Sequence, residues 1–162
     1  MKKVLASLLL ASFILSACGP QAPSTGSFQQ DAANKITEVQ LTQDDLAKDF
    51  AGYTIKEEEN DSRYGLGGRE VYLMQDEKEV FRMRYMSFAS EEALETNLAE
   101  IGAGDDMEKA GFGEEAYKSE DRKKITFRQD DIKMDVTVLA EASDGHEMDE
   151  VEDLADLMLD KF

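Results

Sequence analysis

The chain has 162 residues, with 18 Lys and Arg against 36 Asp and Glu, a net charge of −18, one His, one Cys and no Trp. An acidic balance this strong excludes nucleic acid as a partner, because phosphates need a basic surface, and a lone Cys excludes an internal disulfide framework or a Cys-rich metal cluster. Hydrophobic residues make up 41% of the chain, enough to build the core of one domain.

The N-terminus runs Met1-Lys2-Lys3, then apolar from Val4 to Leu15, then Ser16-Ala17-Cys18. A short cationic start, an apolar stretch and a small-residue end predict a secretory leader. The apolar run is shorter than the roughly 20 residues that a membrane-spanning helix needs. Leu15-Ser16-Ala17-Cys18 resembles the lipobox of bacterial lipoproteins, which implies a diacylglyceryl group on the Cys18 thiol, cleavage just before it, and further acylation such as palmitate. Residues 1–17 are expected to be the signal peptide. Their removal takes away Lys2 and Lys3 and no acid, so −18 becomes −20. Lipid rather than charge would then hold the protein at a membrane, since anionic headgroups repel it. The expected location is the extracytoplasmic face of the cell envelope. Gly19, where an Asp would signal inner-membrane retention, points to the outer membrane if the cell has two.

Residues 18–33 carry both prolines, Pro20 and Pro23, among Gly, Gln, Ala, Ser and Thr, and are predicted to be a flexible tether after the lipidated Cys. Residues 34–162 are expected to fold as one unit. Thr42 to Asp45 approximates a capping box opening a helix, with Leu46 and Phe50 on one face and Gly52 at its end. A short extended piece at 53–57 leads into an acidic loop and the glycines Gly65, Gly67 and Gly68. Residues 70–76 and 79–88 are predicted to be a hairpin turning at Glu77-Lys78, with Phe81, Met83 and Tyr85 alternating with Arg82 and Arg84. Ser90 caps a helix that turns Leu94, Leu98 and Ile101 inward and ends at Gly102.

The second half repeats this order. A strand is expected at Glu115–Ser119, and a hairpin over 123–129 and 132–140 turning at Asp130-Asp131. That turn sets Phe127 opposite Met134 and Ile125 opposite Val136. Asp149 begins a last helix, with Val151, Leu154, Ala155 and Met158 inward. The fold class is therefore α+β, an antiparallel sheet packed with helices, with a quasi-duplicated βββα order.

Gly111-Phe112-Gly113-Glu114-Glu115-Ala116-Tyr117, the following hairpin with Phe127-Arg128 and Val136-Thr137-Val138, and the terminal helix form a further series. It resembles the C-terminal half of uncharacterised bacterial lipoproteins and sensor-like domains of the cell envelope. The resemblance spans Gly111 to Phe162, plus the lipobox. It departs from the pattern at the hairpin tip, where Asp130-Asp131 replaces Gly-Asn, and it implies an envelope domain without catalysis. The glycines also have a purely structural reading, as a tight entry to a strand.

Catalytic patterns are wanting. The one His, His146, lies in an acidic loop, and no Gly-x-Ser-x-Gly elbow occurs. Gly65-Leu66-Gly67-Gly68 precedes a strand rather than a helix and lacks Lys-Ser/Thr, so it is a turn and not a phosphate loop. Asp106, Glu108 and Gly111 imitate an EF-hand, but Ala110 and Tyr117 fall where oxygen ligands belong. That leaves only a diffuse cation site over Asp144, His146, Glu147, Asp149 and Glu150, against a solvated loop leading into a helix. No enzyme activity, metal or cofactor is expected.

Against the acidic background, Arg82, Arg84, Arg128 and Lys133 should point outward from the sheet face opposite the core. Arg128 would sit directly opposite Lys133, a like-charge pair. These four are the candidate partner-binding residues; the alternative is that Asp135 and neighbouring Glu residues neutralise them. The leading expectation is an envelope lipoprotein whose domain binds a protein or peptide partner. The alternative is an envelope module that senses a ligand or ion.

Overall fold

The structure is a computed structural model that describes residues 25–46, 50–59 and 68–162. The expected leader, Cys18 and most of the glycine run 65–68 lie outside the described residues. Alternation of apolar and polar residues produces seven strands: β1 (Thr54–Glu59), β2 (Gly68–Gln75), β3 (Lys78–Met86), β4 (Glu108–Ala110), β5 (Glu115–Ser119), β6 (Lys124–Gln129) and β7 (Ile132–Val138). They pair antiparallel in one sheet, in the order β1-β2-β3-β7-β6-β5-β4. Among the described residues, three α-helices, α1 (Thr25–Val39), α2 (Glu91–Gly102) and α3 (Met148–Leu159), complete the α+β fold.

One face of the sheet is apolar. Val71 and Leu73, then Phe81, Met83 and Tyr85, then Ile125 and Phe127, then Met134 and Val136 are all fully buried there. From above, α1 adds Ala32, Ile36 and Val39, and α3 adds Val151, Leu154, Ala155 and Met158. Each large apolar side chain buried this way contributes about 1.5–3 kcal/mol. The Tyr85 hydroxyl accepts a hydrogen bond from the Leu41 amide at 3.1 Å, which satisfies the one polar atom this ring carries into the core. The register of the second hairpin is the expected one, with Phe127 opposite Met134 and Ile125 opposite Val136.

The opposite face is covered by α2. Ser90 caps this helix, its Oγ accepting from the Ala93 amide at 3.3 Å. Leu94 and Leu98 are fully buried, yet they stand outside the main core cluster. The helix crosses towards β5, where a Cβ on Gly102 would collide with the Tyr117 ring. Because β3 and β7 are antiparallel neighbours, a two-fold relating the halves would run perpendicular to the sheet and keep both helices on one face. Instead α2 and α3 lie on opposite faces, and the second half carries an added strand, β4, ahead of β5-β6-β7-α3, so the βββα repeat is only approximate in element order and absent in packing.

Three expectations need correction. The tether does not extend to residue 33, because α1 begins at Thr25 and buries Ala32; the spacing Ala32, Ile36, Val39 is a helical stripe hidden in polar composition. The helix expected from Thr42 opens as a 3₁₀ turn, Gln43–Leu46, and residues 47–49 of its expected span lie outside the described residues. Its cap is real, with the Asp45 carboxylate accepting from both the amide and the hydroxyl of Thr42 at 2.7 Å. The first hairpin turns one residue early, at Asp76-Glu77, both with positive φ (50° and 66°). That conformation favours Asn and Gly, so the sequence carries no turn signal there.

Candidate functional site

All four candidate cations lie on the sheet face away from the core, as the alternation requires, but α2 makes that face an interior. Lys133 is only 6% exposed and Asp135, two residues on, 1%. The Arg128–Lys133 pairing exists in the register. It is tolerated because the two side chains part company. The Arg128 guanidinium reaches Glu91 at 3.0 Å and Glu114 at 3.4 Å, and donates to the Asp130 carbonyl at 2.8 Å. The Lys133 ammonium donates to the Asn97 side-chain oxygen at 2.7 Å and lies over the Phe88 ring. Two of the four cations, Arg128 and Lys133, thus tie α2 to the sheet, whereas Arg84 ties β3 to β7.

Asp135 is the hub. Its carboxylate meets the Arg84 guanidinium at 2.6 Å and the Lys124 ammonium at 3.6 Å, and accepts from the Thr126 hydroxyl at 2.7 Å. Burial alone would raise its pKa, but Lys133, Lys124 and Arg84, with the Thr126 hydrogen bond, outweigh that and hold it below the ordinary value of 3.8. Lys133 shows the converse. Burial pushes its ammonium below the usual lysine range, and Asp135 only partly restores it.

Arg82 differs from the other three. It makes no hydrogen bond or ion pair among the described residues, and its Nε is buried without a partner. The Oγ1 of Thr137, its cross-strand neighbour, is buried and unpartnered as well.

A second feature lies at the end of the first hairpin. The turn Asp76-Glu77 and a 3₁₀ segment, Ala140–Gly145, enclose a cleft of about 1090 Å³. The segment hangs on β3 through the Leu139 amide, which donates to the Val80 carbonyl at 2.8 Å. Met74, Val80, Leu139 and Ala142 supply the apolar lining. Around them stand five carboxylates, Asp76, Glu77, Glu79, Glu141 and Asp144, against two lysines. One of those, Lys56, is already bound to Glu58 at 2.6 Å and Glu79 at 2.7 Å.

His146 closes one end of the cleft. Its Nδ1 sits 3.1 Å from a Glu150 carboxylate oxygen and 3.5 Å from the Tyr53 hydroxyl. Its ring packs edge-on to Phe81 at 5.1 Å. Burial, and then the Glu150 charge, raise the Tyr53 pKa, so that phenol stays protonated. The ring is wedged rather than presented to a nucleophile. The neighbouring acids also serve the backbone: Glu147 and Glu150 form the capping box of α3, and the Lys123 ammonium donates to the Ser143 carbonyl at 2.7 Å.

In the Gly111–Tyr117 series, Gly113 has φ +55°, and a Cβ there would collide with the Arg128 carbonyl oxygen. That carbonyl accepts from the Glu114 amide at 2.9 Å, so the glycine permits strand entry. Asp106, considered above for calcium, instead binds the Arg122 guanidinium at 2.6 Å and accepts from the Ser119 hydroxyl at 3.1 Å. Among the described residues no group of three or more His, Cys, Asp or Glu is placed to hold a metal ion, and no helix is long and apolar enough to cross a membrane. Comparison with protein-family models, curated proteins and solved structures finds no match to the chain.

Sequence reasoning missed the cleft because it forms between segments more than sixty positions apart. The separate signals, an acidic turn and an acidic 3₁₀ stretch each flanked by apolar residues, were present, but nothing in them says that they meet.

Proposed function

We propose that the chain is an envelope lipoprotein, anchored through lipid on Cys18, whose domain binds a protein or peptide partner and performs no catalysis. The cleft beside the first hairpin is the binding site, and its occupant is a cationic segment with apolar side chains. The observation that carries this reading is the combination of an apolar lining with an excess of acids: once Lys56 and Glu79 are set aside as a pair, four carboxylates, Asp76, Glu77, Glu141 and Asp144, face a single lysine, Lys78. Apolar contact supplies affinity, while the acids supply sign selection and faster encounter. The net charge of −18 acts in the same direction at longer range. The lipobox resemblance and that of the Gly111–Phe162 stretch agree with an envelope location.

The test is fluorescence anisotropy of two labelled peptides, one alternating Lys and Leu and one alternating Glu and Leu, against the full chain in detergent. The Lys-Leu peptide should bind, weaken as salt rises, and lose about tenfold in affinity against the double variant E141Q/D144N. Equal binding of the two peptides, or an unaffected double variant, would remove the cleft from the account. The anchor is tested separately: C18S should abolish acyl labelling and accumulate precursor.

A second reading, an envelope module that senses a small ligand or ion, draws on a different observation, the unpartnered Arg82.

A further inference from the structure

We infer that the sheet face opposite the core carries a binding site for a phosphate-type oxyanion, centred on Arg82, Thr137 and Lys124. The strand register aligns one transverse row of side chains across this face: Lys56 on β1, Tyr72 on β2, Arg82 on β3, Thr137 on β7 and Lys124 on β6. No acid stands in the row, in a chain with twice as many acids as bases. The contacts of α2 with Tyr117, and with Arg128 and Lys133, fall on the next two rows of this face.

The charge balance is lopsided. Arg84 and Lys124 share the single carboxylate of Asp135, and Lys133 is bonded to an amide. Among the described residues Arg82 has no carboxylate partner. Its Nε and the Thr137 Oγ1 are both buried without a hydrogen-bond partner, on residues directly paired across β3 and β7. Buried polar atoms left unpaired cost roughly 1–3 kcal/mol each, and native proteins retain few of them without a reason. A ligand that accepts from both would remove that cost.

The donor set selects the ligand. A guanidinium offers a planar fork to two oxygens, a hydroxyl offers a third hydrogen bond, and the Lys124 ammonium offers a second positive charge. Two cations with three kinds of donor suit a tetrahedral dianion better than a lone carboxylate, which would neutralise only one of them. This site is independent of the cleft, and its success or failure leaves the partner reading untouched.

The probe is inorganic phosphate, with chloride at matched ionic strength as reference. Isothermal titration and thermal melting of the full chain in detergent should show a phosphate-specific rise in melting temperature. R82Q should weaken binding at least tenfold, T137V several-fold, and R122Q, an exposed arginine on the loop before β6, not at all. Circular dichroism of each variant establishes that it folds. If R82Q does not fold, R82K serves instead, since it keeps the charge without the fork and should bind with reduced affinity. A wild-type chain with no phosphate-specific response, or an arginine variant that responds as the wild type does, would overturn the site.

Discussion

The two hairpins of this domain have the same length of turn and nearly mirror-image places in one sheet, yet their tips are treated differently. At the tip of β6–β7, Asp130 is held by the Lys35 ammonium of α1, and its carbonyl accepts from Arg128. At the tip of β2–β3, the side chains of Asp76, Glu77 and Lys78 are exposed and make no hydrogen bond or ion pair among the described residues. The helices follow the same division. The first half sends α2 beneath the sheet onto a charged face, whereas the second sends α3 above it onto the apolar core. An ordered repeat has thus produced one half whose tip is locked into the fold and one whose tip borders an acidic cleft. Similar element order does not carry similar function, and the open tip is the end to interrogate.

The largest expected effect concerns the charged face. D135N leaves Arg84, Lys124 and Lys133 without their shared carboxylate and should cost about 3 kcal/mol or more in denaturant unfolding at neutral pH. The pH dependence has a defined sign. Asp135 has a depressed folded pKa, so its contribution is fully present above the ordinary value of 3.8 and is lost as pH falls through the folded value. The gap between wild type and D135N should therefore narrow below about pH 4. A constant gap would mean that Asp135 is not the hub.

Next in size is L98A, which removes a fully buried side chain between α2 and the charged face. A loss of about 2–3 kcal/mol is expected, with the unfolding slope unchanged. A near-neutral result would show that α2 does not pack on that face. The smallest effect belongs to the open tip. Glu77 has φ +66°, so E77G should stabilise the hairpin by about 0.5–1 kcal/mol, a gain visible as a higher melting temperature. Destabilisation instead would indicate that Glu77 makes a contact at the tip after all.

How much of this was legible in the sequence depends on range. The β6–β7 register followed from the alternation Ile132, Met134, Val136, Val138 and a two-residue turn, and the inward face of α3 followed from its helical spacing. The β2–β3 turn slipped by one residue because Asp76 and Glu77 adopt positive φ without the Asn or Gly that announces it. The four cations were assigned to their correct face, since alternation alone decides that. Their burial was not legible: the stripe Leu94, Leu98 marks an inward side for α2 without saying which face of the sheet it will meet. Once α2 lies beneath, Asp135 changes from a surface acid to a buried hub, and Arg82 emerges as the exception. The leader and lipobox are sequence features that the described residues do not reach.

The most direct test of the central claim is hydrogen-exchange mapping of the full chain with and without the Lys-Leu peptide. Binding at the cleft predicts new protection at the 76–80 turn and in the 139–145 segment, with the β6–β7 tip at 129–132 unchanged. Protection at the β6–β7 tip, or on α2, with none around the open hairpin, would contradict it.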